Sequence, residues 1–374
     1  MTETIDGPFI QTRISEHVPN WFDKVNLRKL LAPIRNGTGL PPHFNEGCCL
    51  VCGRTFDNYG PRKNDFETKQ KKYCPKCGYH STPTFNFGSR LPDWVWSDVL
   101  FGSALFHKDV DIKRDIERHA RKNNLQPRKV NVQSFYRIRK EANSIMEEAE
   151  PIILRYLSKR PSLIKAIWVM DVRNNDMPYR KSKLTGKYDK KSGHPHINPT
   201  MVTQEAEGYW YALEVEMDQT RFSALHTLTL AFDRTGVKPK NLKIDYAPGL
   251  YAAAKYVLSE EAKEIDRINK HSSKKVYGKM SPCERHWSDL GQRNNKHHCQ
   301  YRKPWTLQDN LNIFRWHRNY LWTKESTKKT PAELLRIILP PEVKNPDDLL
   351  PLVKFSYRLT QFVKSEIARA RFSR

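Results

Sequence analysis

The chain has 374 residues, and its 65 Lys and Arg against 41 Asp and Glu leave a formal net charge of +24. Domains typically run to roughly 100–200 residues, which excludes one small fold and leaves room for two or three modules. A basic excess that recurs in several segments points to a polyanionic partner.

No run reaches the roughly 18 apolar residues of a membrane helix, because "VWSDVLFGSALF" is short and interrupted by Asp98. The start, "MTETIDGPFIQTRISEH", lacks the basic-then-apolar pattern of a secretory signal. The expectation is a soluble, cytoplasmic protein with no membrane partner.

In chain order, residues 1–45 form an N-terminal extension with one short helical piece, "WFDKVNLRKLLAPI", followed by a Pro- and Gly-rich link. Residues 46–82 are rich in turn formers and too poor in apolar residues to build a core. Here Cys49-x-x-Cys52 and Cys74-x-x-Cys77 stand 21 residues apart, each pair followed by glycine. Two such knuckles supply four thiolates to one tetrahedral ion with no open position, which predicts a zinc ribbon with structural Zn2+. Cys48 and His80 remain alternatives for one ligand, and Cys283 and Cys299 read as ordinary thiols. Seven cysteines, four of them in such pairs, favour metal over disulfides in a reducing compartment.

From Leu91 the apolar spacing is helical. Residues 90–158 give two helices, a turn at "LQPRKVN" and a third helix, "VQSFYRIRKEANSIMEEAEPIILRYL", whose first turns are basic. That is the order of a helix-turn-helix DNA reader, with Arg137, Arg139 and Lys140 as the expected DNA contacts.

Beyond Pro161 the period shortens. "SLIKAIWVMD", "GYWYALEVEMD" and "RFSALHTLTLAF" read as strands, the last running into a helix, and "KPKNLKIDYAPGLYAAAKYVLS" as strand, turn and helix. The class is α/β over residues 162–335, a mixed sheet flanked by helices. The tail, residues 336–374, reads as a basic amphipathic helix suited to assembly or DNA contact.

Asp171 and Asp245 end strands 74 positions apart, and Glu284 follows 39 positions later in a segment that reads as helix. Carboxylates gathered in this way can hold two Mg2+ or Mn2+ ions for phosphodiester chemistry. Spacing alone leaves other readings open, with Asp171 and Asp245 as turn residues and Asp176, Glu214, Glu216, Asp218 and Asp289 as rival acids.

The pieces "IWVMD", "WYALEVEMD", "LKIDYAPGLYAAAKYV", "CERHWSDLGQRNN" and "NIFRWHRNYLWTKESTKKTPAELLRI" resemble the RNase H-like, integrase-core domain of DDE transposases of prokaryotic insertion sequences. "RDIERHARKNNLQPRKVNVQSFYRIRK" and the "CPKCG" ribbon resemble the modules that precede it. The resemblance covers most of residues 46–335. It implies Asp171, Asp245 and Glu284 as the catalytic, Mg2+-holding acids, with Arg285 as a DNA-contacting base beside the glutamate. It departs from the family pattern at Val172, Tyr246, Ser281 and Pro282.

The implied activity is cleavage at the ends of a mobile element and transfer of the freed 3'-hydroxyl to target DNA. The implied partners are double-stranded DNA, as terminal inverted repeats and as target, and a second copy of the chain or more, in association with the nucleoid. Basic segments 179–191 and 293–303 would hold phosphates. Two other readings stay open: a catalytically inactive DNA-binding regulator, and an RNase H-like nuclease without strand transfer.

Overall fold

A computed structural model describes residues 26–37, 39–45, 47–63, 68–81, 91–123, 130–172, 175–176, 196–216, 220–245, 247–258, 265–268, 287, 290 and 304–372. Two short helical turns, Leu27–Leu30 and Ala32–Asn36, come first. They bury Leu27, Leu31 and Ile34 in the main core, so this part of the extension is integral to the fold.

A small antiparallel sheet follows, β1 (Asp57–Lys63), β2 (Thr68–Tyr73) and β3 (His80–Ser81), paired in chain order.

Three helices come next. In α1 (Asp93–Ala104), Val95, Trp96, Val99 and Leu100 are all buried, as suits a helix apolar on most of its faces. α2 (Asp109–Lys122) buries only Ile112, Ile116 and Ala120, one stripe at four-residue spacing. Gly102 lets these two helices meet closely, since a Cβ there would sit 2.6 Å from Ile112 Cγ1. In α3 (Val132–Ile152) the Asn131 side chain accepts the Gln133 backbone N–H at 3.1 Å, a standard N-cap. Pro151 removes one helical donor, and the chain continues as a π-type turn, Ile153–Leu157.

The large sheet contains β4 (Ile167–Val172), β5 (Asn175–Asp176), β6 (His196–Gln204), β7 (Trp210–Glu216), β8 (Asn241–Asp245) and β9 (Ile265–Ile268). Its order is β7-β6-β4-β8-β9, with β5 on the end of β6. β6 is antiparallel to β4 and β7, whereas β4, β8 and β9 are mutually parallel. The parallel strands are joined through helices, α4 (Arg221–Thr235) before β8 and α5 (Pro248–Leu258) after it.

Two expectations about strands need correction. "RFSALHTLTLAF" lies within α4 and is not a strand: the Thr227 and Thr235 hydroxyls donate to the carbonyls of Ser223 and Ala231, four residues back, so their β-branched side chains are accommodated in the helix. The missing strand is β6, disguised by Pro199 in its middle.

α6 (Pro304–Tyr320) closes the sheet. Gln308 accepts from Val215 N–H at 2.6 Å and donates to Leu213 O at 2.9 Å. Asn319 accepts from Trp210 N–H and donates to Trp210 O, both at 2.9 Å. These side chains satisfy backbone groups along β7 that another strand would otherwise pair. After Thr330–Glu333, a reciprocal capping box, comes α7 (Leu350–Phe372), which packs on α3 and places Phe355 and Phe362 against Phe44 at 5.5 and 5.9 Å.

The tail is therefore part of the core, and one buried cluster runs from Leu27 to Ile367. A second, smaller cluster lies between the sheet and α6. Among the described residues, no helix is long and apolar enough to cross a membrane.

Candidate functional site

Cys49, Cys52, Cys74 and Cys77 place their Sγ atoms within 4.8 Å of one another. Cys49 and Cys77 are 3.5 Å apart, and Cys52 and Cys74 3.4 Å. A tetrahedral Zn2+ with bonds of about 2.3 Å would set its sulfurs about 3.8 Å apart, so the cluster needs only slight expansion to accept the ion.

The two knuckles have matching hydrogen bonds. Cys49 N–H donates to Arg54 O and Gly53 N–H to Cys49 O, both at 2.8 Å; Cys74 N–H donates to Tyr79 O at 2.8 Å and Gly78 N–H to Cys74 O at 2.9 Å. Gly53 and Gly78 hold φ of +73° and +71°, a conformation costly for other residues.

Burial pushes the Cys49 thiol up to about 12. Burial acts the same way on Cys74, but the backbone N–H groups of Cys77 and Lys76 outweigh it and bring that thiol down to about 7. Four sulfurs gathered this closely could hold one metal ion as thiolates, and the sulfur donor set suits Zn2+. Cys48 and His80 stand outside the four-thiol group.

Asp171, on β4, is 2% exposed. Its Oδ1 accepts the Val172 backbone N–H at 2.9 Å, and its Oδ2 accepts the Trp287 indole N–H at 3.0 Å. Trp287 is itself buried in the cluster with Val169, Trp210, Leu290, Leu307 and Phe314. β4 and β8 run parallel and in step, Ile167 opposite Asn241 through Met170 opposite Ile244. The next residues on the two strands are Asp171 and Asp245. Asp245 also pairs with Ile268 on β9. Two carboxylate-bearing positions thus lie side by side at the C-terminal ends of central parallel strands.

No protein-family model matches the chain, and no curated protein matches it. Among solved structures, the chain is similar to a chain of the simian T-cell lymphotropic virus intasome in complex with PP2A regulatory subunit B56 gamma, at TM-score 0.32 and 18% identity. The match covers 47% of this chain and 56% of that one, so this chain spans about half the length of that neighbour.

Of the rival acids, Glu214 is held by Arg234 at 3.5 Å and Glu216 by His226 at 2.8 Å, which gives both a role inside the fold. Glu284, Arg285, Asp218, Asp289, Cys283, Cys299 and the basic segments 179–191 and 293–303 lie outside the described residues.

The basic helix divides its cations. Arg137 and Lys140 are exposed, and with Gln133 and Tyr136 they form one outward stripe at the start of α3. Arg139 points inward and departs from the expected DNA contact. It is 3% exposed, its Nε donates to Ser103 Oγ at 2.8 Å, and its guanidinium pairs with Asp109. An amphipathic helix puts adjacent residues on different faces, and here residue 139 meets the polar groups of α1 and α2.

Sequence reasoning missed Trp287, which reaches Asp171 across 116 residues. The only signal was its place three residues after the expected glutamate, a separation that shares a helix face.

Proposed function

We propose that this chain is a DNA-cleaving and DNA-joining enzyme of the DDE transposase type, whose catalytic acids are Asp171, Asp245 and Glu284. The single observation that carries the reading is the parallel, in-step pairing of β4 with β8, which ends on Asp171 and Asp245. Residues opposite each other on neighbouring strands face the same side of a sheet, so two acids at this register can share a ligand. The strand order β7-β6-β4-β8-β9 with only β6 reversed further supports an RNase H-like catalytic unit.

The donor set fits a hard divalent cation. The Asp171 carboxylate, oriented by the Val172 N–H and the Trp287 indole N–H, is a hard oxygen donor of the kind Mg2+ and Mn2+ take. Bound Mg2+ or Mn2+ would supply Lewis-acid activation of the phosphodiester.

The chain's own residues supply placement. Val172 and Trp287 fix the plane of the Asp171 carboxylate, and the buried Trp287 ring keeps water from that side. Arg285 and the basic segments 179–191 and 293–303 hold backbone phosphates, and the Gln133, Tyr136, Arg137 and Lys140 stripe binds duplex DNA. Water then attacks the phosphodiester at an element end, and the freed 3'-hydroxyl attacks target DNA in line, with no covalent enzyme intermediate. Pairing two DNA ends calls for at least two copies of the chain.

The test is a strand-cleavage assay with a labelled duplex spanning the DNA around the chain's own gene. The expected result is Mg2+-dependent nicking at a defined position that leaves a 3'-hydroxyl and is abolished in Asp171→Asn, Asp245→Asn and Glu284→Gln. Tight binding without nicking in wild type would replace this reading with that of a DNA-binding regulator.

A further inference from the structure

The zinc ribbon divides its aromatic residues between two sides. Phe56 and Tyr79 stack at 6.3 Å, and Tyr79 lies in the field of Arg358 on α7. The body grips the chain around this side: Arg358 donates to the carbonyls of His43 and Asn45 at 3.0 Å, and Arg369 to Val51 O at 2.7 Å.

A second aromatic group is made by Tyr59, Tyr73 and His80. Their ring centroids close a triangle, with Tyr59 6.1 Å from Tyr73 and 5.2 Å from His80, and Tyr73 5.0 Å from His80. Neighbouring residues of an extended chain point to opposite sides, which puts His80 away from the side of Tyr79. Tyr73 and His80 are paired across β2 and β3.

Tyr59 sits at the irregularity between Asn58 and Gly60, where the β1–β2 register slips and no residue of β2 opposes it. Bulges re-aim a side chain, and this one leaves Tyr59 62% exposed. His80 is exposed beside it. Packing accounts for Tyr73 but does not account for a tyrosine ring held by two aromatic neighbours with most of its surface in water.

The strand positions in phase with Tyr73 are those of Lys71 and Lys69, with Arg62 paired across from Lys69, against Asp57 alone among acids. Aromatic rings beside a dense row of cations are how proteins hold single-stranded nucleic acid: bases stack on the rings while the cations follow the phosphates. A duplex keeps its bases stacked on each other and offers such a surface mainly phosphates.

We infer that the Tyr59, Tyr73 and His80 face of the ribbon is a stacking platform for single-stranded DNA, with an unpaired base against Tyr59 and flanking phosphates on the hairpin's cations. That the strand is DNA rests on the proposed function, since a cleaved element end exposes a strand that can fray. The platform itself requires no cleavage.

The experiment is fluorescence anisotropy with the full-length, zinc-loaded chain, using a labelled short oligothymidylate and a labelled duplex of equal length. Tyr59→Ala is expected to weaken oligothymidylate binding about tenfold while duplex binding stays unchanged, and Tyr59→Phe, which keeps the ring, to bind like wild type. Arg137→Ala is expected to show the reverse selectivity.

Photocrosslinking of wild type to bromodeoxyuridine-substituted oligonucleotide tests the same surface without any variant, the adduct being expected on Tyr59, Tyr73 or His80. Unchanged oligothymidylate binding in Tyr59→Ala, an equal loss on duplex, or adducts confined to other peptides would overturn the platform. Asp171→Asn, inactive under the proposed function, is expected to bind oligothymidylate like wild type. Failure of cleavage and failure of the platform are thus read separately.

Discussion

Among the contacts of Asp171 are the Val172 backbone N–H and the Trp287 indole N–H, and the indole is the one a substitution can remove cleanly. Trp287→Phe keeps the buried ring and deletes the donor to Oδ2. Because groups that orient a metal-binding carboxylate typically carry about 10- to 100-fold in activity or metal affinity, the expected outcome is a loss of that order in metal-dependent cleavage. Thermal stability should change little, and single-turnover kinetics across a Mn2+ titration will check the effect.

Arg139 and Arg137, two positions apart, make an opposite pair. Arg139→Ala removes a buried guanidinium from Ser103 and Asp109 and is expected to cost about 2 kcal/mol in denaturant unfolding. Arg137→Ala should leave stability unchanged and lower the salt dependence of duplex binding by about one counterion. The two positions look equivalent in a basic stretch. What separates them is the position of Ser103 and Asp109 on other helices, which no local pattern reports.

At the scale of elements, the four-cysteine cluster was the most legible part, because Cys-x-x-Cys spacing followed by glycine encodes the knuckle directly. Residues 47–81 have too little apolar surface to fold alone, so an ion at the proposed Cys49, Cys52, Cys74 and Cys77 site would hold them together, whereas α1–α3 and the large sheet share a core of their own. Chelation, or Cys74→Ser, is therefore expected to abolish amide-exchange protection across residues 47–81 while β4, α3 and α6 keep theirs. Hydrogen exchange read by mass spectrometry measures both at once.

β4, β7 and β8 announce themselves by their apolar runs, and their ends mark Asp171 and Asp245. The strand that joins β4 to β7 does not, because Pro199 and the polar residues of "HINPTMVTQ" read as loop. Conversely, the β-branched residues of α4 suggested a strand where hydroxyl bonds to the preceding turn permit a helix. In both cases the local preference yields to the tertiary environment.

For the whole molecule, the decisive feature is a buried ionic junction between the three-helix region and the sheet. Glu150 of α3 is fully buried and binds Arg315 of α6 through two hydrogen bonds of 2.6 and 2.8 Å. Arg234 of α4 lies 3.4 Å from it, and Tyr209 donates to it at 3.2 Å. Removing one partner leaves buried charge uncompensated, so Glu150→Ala is expected to cost about 3–5 kcal/mol and to lower the cooperativity of unfolding in a chemical denaturation series.

The sequence suggested a helical DNA-reading module followed by a catalytic one. The junction and the common core weld α3 to the sheet, and α7 returns to clamp residues 43–45. Such long-range closure is invisible in a linear pattern, since Glu150 and Arg315 lie 165 residues apart.

The central claim is that the acids aligned by β4 and β8 move a DNA strand from one phosphodiester to another. It is tested most directly by a strand-joining measurement, in which a duplex labelled at its element end is incubated with circular target DNA, the full-length chain and Mg2+. Label covalently attached to the target is expected in wild type and none in Asp245→Asn, although both proteins bind the duplex equally. Label that never leaves the donor duplex while wild-type protein is bound to it would contradict the account.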